Sequence, residues 1–328
     1  MSSSVASSTP RSRAWRHFSG YPTAAELHGE ARVHGRPGLF AISTAIWGST
    51  WLAIKYQLGV VAPEVSVAYR FALAALLLAL WCLFTGRSLR FPLREHAWLA
   101  MLGATLFGLN YVGVYWSEQY VTSGLVAVLF STIVFMNPIS MRLAFGTPVS
   151  ARTLVAATLG VAGVALLFLP ELGQASHGGS AGYGVAFGIG ATVIASIGNI
   201  VALRNHKAGV PTLPATVWGM AYGAIVAALT AIAHGVAWTF DTSVGYLVSL
   251  AYLSVFGSIV AFGAYLTLLK RIGGGPSAYV SVSTPVVALG LSTLVENYRW
   301  TSTALLGVIL AVAGNWLALR GASVRPEK

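Results

Sequence analysis

Apolar residues in this chain come in long unbroken runs rather than at every third or fourth position. From Gly38 to Arg320 the runs are about 20 residues each, enough for a helix to cross about 30 Å of hydrocarbon. The pattern predicts ten transmembrane helices, over residues 38–58, 64–85, 97–117, 121–144, 152–170, 181–203, 212–233, 244–268, 277–295 and 301–320. Asn137, Pro138 and Arg142 interrupt the second half of the fourth run. Thr85-Gly86-Arg87-Ser88, Gly178-Gly179-Ser180 and Gly273-Gly274-Gly275-Pro276 punctuate the pattern, since Gly and Pro permit turns. A soluble helical bundle would carry a polar face at the 3.6-residue period, and most of these runs lack one. The expected fold class is an all-α polytopic membrane protein. Residues 1–37, rich in Ser and Arg without the apolar core of a signal peptide, read as a disordered cytoplasmic tail, and residues 321–328 as a second.

Composition agrees with a membrane protein. Residues of the AVILMFWYC set make up 56% and charged residues only 9%, against about 25% charged in soluble domains. The net charge of +11 would suit a nucleic-acid binder, but its distribution excludes that reading. With the N-terminus placed in the cytoplasm, 17 of the 20 Lys and Arg fall on cytoplasmic segments. Glu64, Glu118, Glu171, Asp241 and Glu296 fall outside or at outer ends, with only Lys55, Arg70 and Arg299 among the basic residues there. The positive-inside rule puts both termini in the cytoplasm and requires an even number of helices. Cys82 is the only cysteine and lies in an apolar run, and the seven histidines lie in polar stretches or at helix ends. No metal site, disulfide framework or imidazole proton relay is expected, and no cofactor.

An internal echo recurs at a spacing near 150 residues. Gly48-Ser49 corresponds to Gly198-Asn199, Gly113-Val114-Tyr115 to Gly263-Ala264-Tyr265, and Gly160 to Gly163 to Ala311 to Gly314. Each half, residues 38–170 and 181–320, holds five predicted helices, an odd number. The second copy then enters the membrane from the opposite side, which makes the halves inverted-topology repeats. Secondary transporters are commonly built so, with the substrate site near the midplane.

Several motifs also resemble a known family. Trp47-Gly48-Ser49-Thr50-Trp51 with Ile54-Lys55, Tyr69-Arg70-Phe71-Ala72, Pro285-Val286-Val287-Ala288 followed by Glu296, and the Gly-rich last helix look like the ten-helix EamA branch of the drug/metabolite transporter superfamily. Within it, Asn110-Tyr111-Val112-Gly113-Val114-Tyr115 and Phe130-Ser131-Thr132-Ile133 are most similar to bacterial YddG-type exporters of aromatic amino acids. The family's acidic residue after helix 4 is replaced here by Phe145-Gly146-Thr147. The resemblance implies a bacterial inner-membrane protein and, more weakly, a substrate class.

Candidate site residues are polar and aromatic groups on faces that should otherwise suit lipid. Phe107, Asn110, Tyr111 and Tyr115 share one face of helix 3 at i, i+3, i+4 and i+8. Their rings would stack on flat side chains and their polar groups orient a substrate; for Trp116 and Tyr120 an interfacial belt is the plainer reading. Trp47 and Thr50 of helix 1, Asn199 of helix 6, Tyr265 of helix 8 and Ser283 of helix 9 complete the set, with close helix packing as the rival role for the small residues. Arg70 is the unusual charge, since a centred Arg costs roughly 2.5–3.5 kcal/mol on insertion scales. It either attracts a substrate carboxylate, pairs with Glu118, or snorkels to the headgroups.

The expected function is export of amino acids, aromatic ones preferred, and related small metabolites by alternating access. With no acid at the middle of any span, obligatory proton exchange is not expected. Organic cations or drugs are the alternative cargo, and a membrane scaffold or enzyme the alternative class, although no acid, base and nucleophile converge as an enzyme needs. The partners implied are the small-molecule substrate and the lipid bilayer, with no nucleic acid and no obligate protein partner.

Overall fold

The computed structural model describes residues 36–146, 149–175, 180–272 and 279–322. The predicted tails fall almost wholly outside the described residues, as does Gly273-Gly274-Gly275-Pro276. The described residues form one compact unit. Among the described residues every regular element is helical, in the order α1 Arg36–Lys55, α2 Pro63–Phe84, α3 Leu93–Leu102 continuing through Gly103–Leu109 to Asn110–Glu118, and α4 Ser123–Ser131 with Ile133–Phe145. They continue as α5 Ala151–Ala175, α6 Ala181–Lys207, α7 Thr212–Ala233, α8 Val244–Tyr252 through Leu253–Val260 to Ala261–Ile272, α9 Tyr279–Val295 and α10 Ser302–Ala322. Among the described residues, α2, α3, α4, α6, α7 and α8 contain stretches long and apolar enough to cross a membrane, and α5, α9 and α10 hold shorter apolar stretches. This is the construction of a polytopic membrane protein.

The end of the bundle at which α1 begins is termed proximal, and the end at which it finishes distal. At the proximal end, helices overrun the apolar runs that predict them. The third begins at Leu93 rather than residue 97, and the sixth continues to Lys207 rather than 203. Polar partners keep these turns folded: Glu95 pairs with Arg204, whose guanidinium lies 4.4 Å from the Trp98 ring, and His96 Nδ1 is 2.9 Å from the Tyr222 hydroxyl. Hydropathy alone discounts such residues, although one ion pair across two helices extends both. Arg87, Arg90, Arg94, Arg142 and Arg152 lie exposed at this end.

Two wide turns distinguish α3 and α8. Gly103–Leu109 and Leu253–Val260 are π-helical, with i→i+5 hydrogen bonds in place of i→i+4. They begin 150 residues apart, the spacing of the sequence echo. Small residues let neighbours reach the widened backbone: a Cβ added to Gly103 would stand 2.6 Å from the Gly219 carbonyl of α7, and one on Gly223 the same distance from Phe107 Cβ. Elsewhere, α5 and α10 meet backbone to backbone through Gly160, Gly163, Gly307 and Gly314, the mode of contact small residues permit between membrane helices.

Candidate functional site

A cavity of about 340 Å³ lies between α1, α3, α4, α6, α8 and α9. Six aromatic rings line it: Trp47, Trp51, Tyr111, Phe130, Phe262 and Tyr265. Its polar groups are uncharged, chiefly Asn110, Asn137, Asn199, Ser131, Ser281 and Thr284, and no Asp, Glu, Lys or Arg is among its lining residues. Helix geometry explains part of the set. Trp47, Thr50, Trp51 and Ile54 recur at three- and four-residue intervals on one face of α1, while Gly48, on another face, admits Val287 of α9, whose Cβ would stand 2.5 Å from an added one.

The cavity walls are held by specific contacts. Trp47 packs on Phe262 and Tyr265 at centroid separations of 5.2 and 5.1 Å, and its indole N–H donates to the Gly257 carbonyl at 3.2 Å. Gly257 lies in the wide turn of α8, and an added Cβ there would come 2.8 Å from Thr50. Asn199 Nδ2 donates to Asn137 Oδ1 at 3.3 Å, so α6 and α4 are joined inside the cavity. Asn110 Nδ2 donates to the Leu106 carbonyl at 3.1 Å, while its Oδ1 is buried with no hydrogen-bond partner.

Of the residues singled out from sequence, Trp47, Thr50, Asn110, Tyr111, Asn199 and Tyr265 line the cavity. Phe107, Tyr115, Ser283 and Arg70 do not. The wide turn accounts for Phe107: an i→i+5 register sets Leu106, not Phe107, in line with Tyr111. Phe107 instead packs against Phe71 and Phe262, each at 5.5 Å. Ser283 stands between two lining residues of α9, Ser281 and Thr284. Phe130 and Phe262 went unrecognised because a phenylalanine within an apolar run carries no signal, although Phe262 lies one turn from Tyr265 on the same face.

Arg70 neither snorkels nor pairs with Glu118. It is 1% exposed, with its guanidinium carbon 4.6 Å from the Tyr111 centroid and 5.1 Å from that of Phe71. Its Nε donates to Ser258 Oγ at 3.3 Å, and its Nη1 is buried without a hydrogen-bond partner. It therefore stands behind the Tyr111 wall, joining α2, α3 and the wide turn of α8.

The sequence profile of the EamA-like transporter family matches residues 38–169 and 182–320. The chain belongs to this family. It is 28% identical to the uncharacterized inner membrane transporter YedA of Escherichia coli K12 over 298 residues, covering 85% of this chain and 90% of YedA. It is also 23% identical to protein PagO of Salmonella typhimurium LT2 over 288 residues, 86% of this chain and 91% of PagO. A crystal structure superimposes with a TM-score of 0.62 at 18% identity, over 88% of this chain and 99% of that one, a likeness of fold. The protein is thus a multi-pass membrane transporter of the EamA-like family.

Distal to the cavity this EamA-like transporter carries a layer of polar contacts between helices. Lys55 Nζ donates to the carbonyls of Glu118 and Val121 at 2.7 and 3.1 Å, satisfying the free end of α3, and lies 3.6 Å from Glu296. Glu296 in turn accepts from the backbone N–H and the hydroxyl of Ser123, a carboxylate at the positive end of α4. The Tyr115 hydroxyl donates to Gln57 Oε1 at 2.5 Å, and both residues are buried. Towards the periphery, Glu64 accepts from Trp116 Nε1 at 3.1 Å and faces His234 Nδ1 at 2.9 Å. Trp116 thereby does more than sit in an interfacial belt.

Proposed function

We propose that this transporter exports amino acids and related small zwitterions, aromatic ones preferred, across a bacterial inner membrane. It works by alternating access of two inverted five-helix repeats, residues 38–170 and 181–320, in a ten-span protein with cytoplasmic termini. The observation that carries the reading is the cavity itself, with six rings, uncharged amides and hydroxyls, and no fixed charge among its lining residues. Rings offer faces to a flat side chain, and the amides and hydroxyls offer donors and acceptors to a carboxylate and an ammonium. Its volume of about 340 Å³ stands at the low end of about 300–1,000 Å³ for ligand pockets, which favours metabolites over drug-sized cargo. Arg70, one ring behind the wall, gives this region a positive potential that favours a substrate bearing a carboxylate over an organic cation.

Support for the repeats comes from the two wide turns 150 residues apart and from the family profile matching two stretches of the chain. Support for the orientation comes from the exposed arginines at the proximal end. The inner-membrane location is supported by the likeness to YedA, an inner membrane transporter. No acidic side chain lines the cavity, so the cargo step itself is read as free of obligatory proton exchange.

The test is counterflow of labelled Phe, Trp and Thr in proteoliposomes, with a lipophilic organic cation alongside. Amino-acid counterflow that prefers the aromatic substrates is the expected result, and Tyr111→Ala should reduce it about tenfold, the equivalent of 1.4 kcal/mol of lost binding. Flux of the cation alone would overturn the amino-acid reading. Normal kinetics in both Tyr111→Ala and Arg70→Ala would place the site elsewhere.

A further inference from the structure

The distal layer contains a carboxyl group for which the cavity has no use. Glu118, the last residue of α3, is fully buried, and neither carboxyl oxygen has a hydrogen-bond partner. Helical side chains lean towards the helix N-terminus, so Glu118 reaches back into the bundle although its Cα is at the helix end.

The charged groups that face it come from three other helices. Lys55 of α1, Arg70 of α2 and Glu296 of α9 are the charges acting on it. Tyr115 lies a turn away on α3 and Tyr246 of α8 beyond it, while the His234 and Glu64 pair holds Trp116 at the periphery. Neither cation touches the carboxyl. Lys55 is spent on two carbonyls and on Glu296, and Arg70 points at Ser258 and two rings with one N–H group unused.

An ionised carboxylate would not stay so placed. Two opposite charges 4 Å apart attract by about 4 kcal/mol even at an effective dielectric of 20, and a buried charge left alone costs several kcal/mol more. A charged Glu118 would close on Lys55 or on the unused N–H of Arg70. The arrangement is that of an acid that keeps its proton while buried.

We propose that Glu118 is a proton-binding site on the distal side of this transporter, filled when the distal end is shut and emptied when it opens. Opening admits water, the carboxyl O–H bond breaks, and the proton passes to water on the distal side; closing reverses the step. No electron moves. Because the proton leaves and returns on the same side, none is carried across the membrane, and the cargo step stays uncoupled. The shut form holds one more proton than the open form, so low distal pH favours the shut form and rising pH favours the open one. The inference shares the alternating-access framework proposed above, but its test needs no substrate.

The test is hydrogen–deuterium exchange of the distal segments 55–62 and 118–123 in nanodiscs over about pH 5 to 9, with rates corrected for intrinsic exchange. In the wild type, protection should fall as pH rises, with a limiting slope of about tenfold per pH unit, the signature of one linked proton. Glu118→Gln, isosteric and permanently neutral, should remain protected throughout, and that protection also certifies its fold. His234→Gln should keep the wild-type profile. An unchanged profile in Glu118→Gln would overturn the proposal, as would one abolished by His234→Gln instead. Absent counterflow together with the expected exchange profile would reject the amino-acid reading and leave this site standing. Acidification of the lumen in step with substrate, reported by a trapped dye, would reject the one-sided site in favour of true coupling.

Discussion

Gly163→Ala should destabilise the protein strongly. The new Cβ would stand 2.5 Å from the backbone nitrogen of Ala311 and 2.6 Å from the carbonyl oxygen of Gly307, both on α10. Those atoms are backbone, so no rotamer change relieves the clash and α5 and α10 must separate along their contact. Overpacking costs typically 1–3 kcal/mol where side chains can adjust, and about 3 kcal/mol or more is expected here. A thermal melt in detergent reports the loss. Gly307→Ala should behave alike, since its Cβ would meet the Gly163 carbonyl at 2.6 Å. The double variant should cost less than the sum, because helices already parted accommodate the second methyl. A melt unchanged in Gly163→Ala would show that the two helices do not touch as described.

Arg70→Met is expected to separate stability from transport. The guanidinium is buried, donates to the neutral Ser258 hydroxyl, lies against two rings and leaves Nη1 without a hydrogen-bond partner. Exchanging such a charge for an apolar side chain of similar length is often neutral or stabilising, by about 1 kcal/mol or more. Transport should nevertheless fall about tenfold or further, because the positive potential behind Tyr111 is gone and the ring loses the cation that holds it. Arg70→Lys should restore little, since a lysine ammonium cannot lie flat on two rings while donating to Ser258. Melting temperature and counterflow measured on the same preparation decide the matter. A variant that melts early but transports normally per folded molecule would make Arg70 a structural strut.

What the sequence made legible follows from the forces that act along a single helix. Hydropathy locates apolar stretches because every backbone polar group in hydrocarbon must be satisfied within its own helix. The polar and aromatic positions of α1 were readable because one undistorted face carries Trp47, Thr50 and Trp51 into the cavity. The α3 face was readable only in part. Its periodicity was extended through a stretch whose turns are wider than 3.6 residues, so Asn110 and Tyr111 are in the cavity while Phe107 is behind it. Tyr115 follows the same face one turn beyond Tyr111, where the cavity has ended and Gln57 meets it.

The acids were harder. Glu118 stands at the end of an apolar run, where sequence assigns it to the surface, and only the tilt of the side chain puts it inside. Glu296 reads as an outward-facing acid, yet it accepts from the start of α4, a contact 173 residues away in sequence. The proximal extensions of α3 and α6 depend likewise on Glu95 and Arg204, two residues that a window of hydropathy weighs separately. In each case the missing information was tertiary.

The wide turn of α3 also fixes how tolerant the cavity can be of changes in chain length. A π turn holds one residue more than the α-helix it interrupts, and each residue turns an α-helix by about 100°. Deleting a single residue within Gly103–Leu109 would let the helix run straight through in α register, with no break in its hydrogen bonding. The proximal part, anchored by Glu95 and His96, would stay in place, and because the residue removed is the surplus one of the wide turn, the distal part would keep its orientation. Asn110 and Tyr111 would still face the cavity, and Tyr115 would still meet Gln57. The same deletion in the α-helical stretch Asn110–Glu118 would turn everything beyond it by about 100°, so the wide turn is where α3 can lose a residue without moving its cavity face.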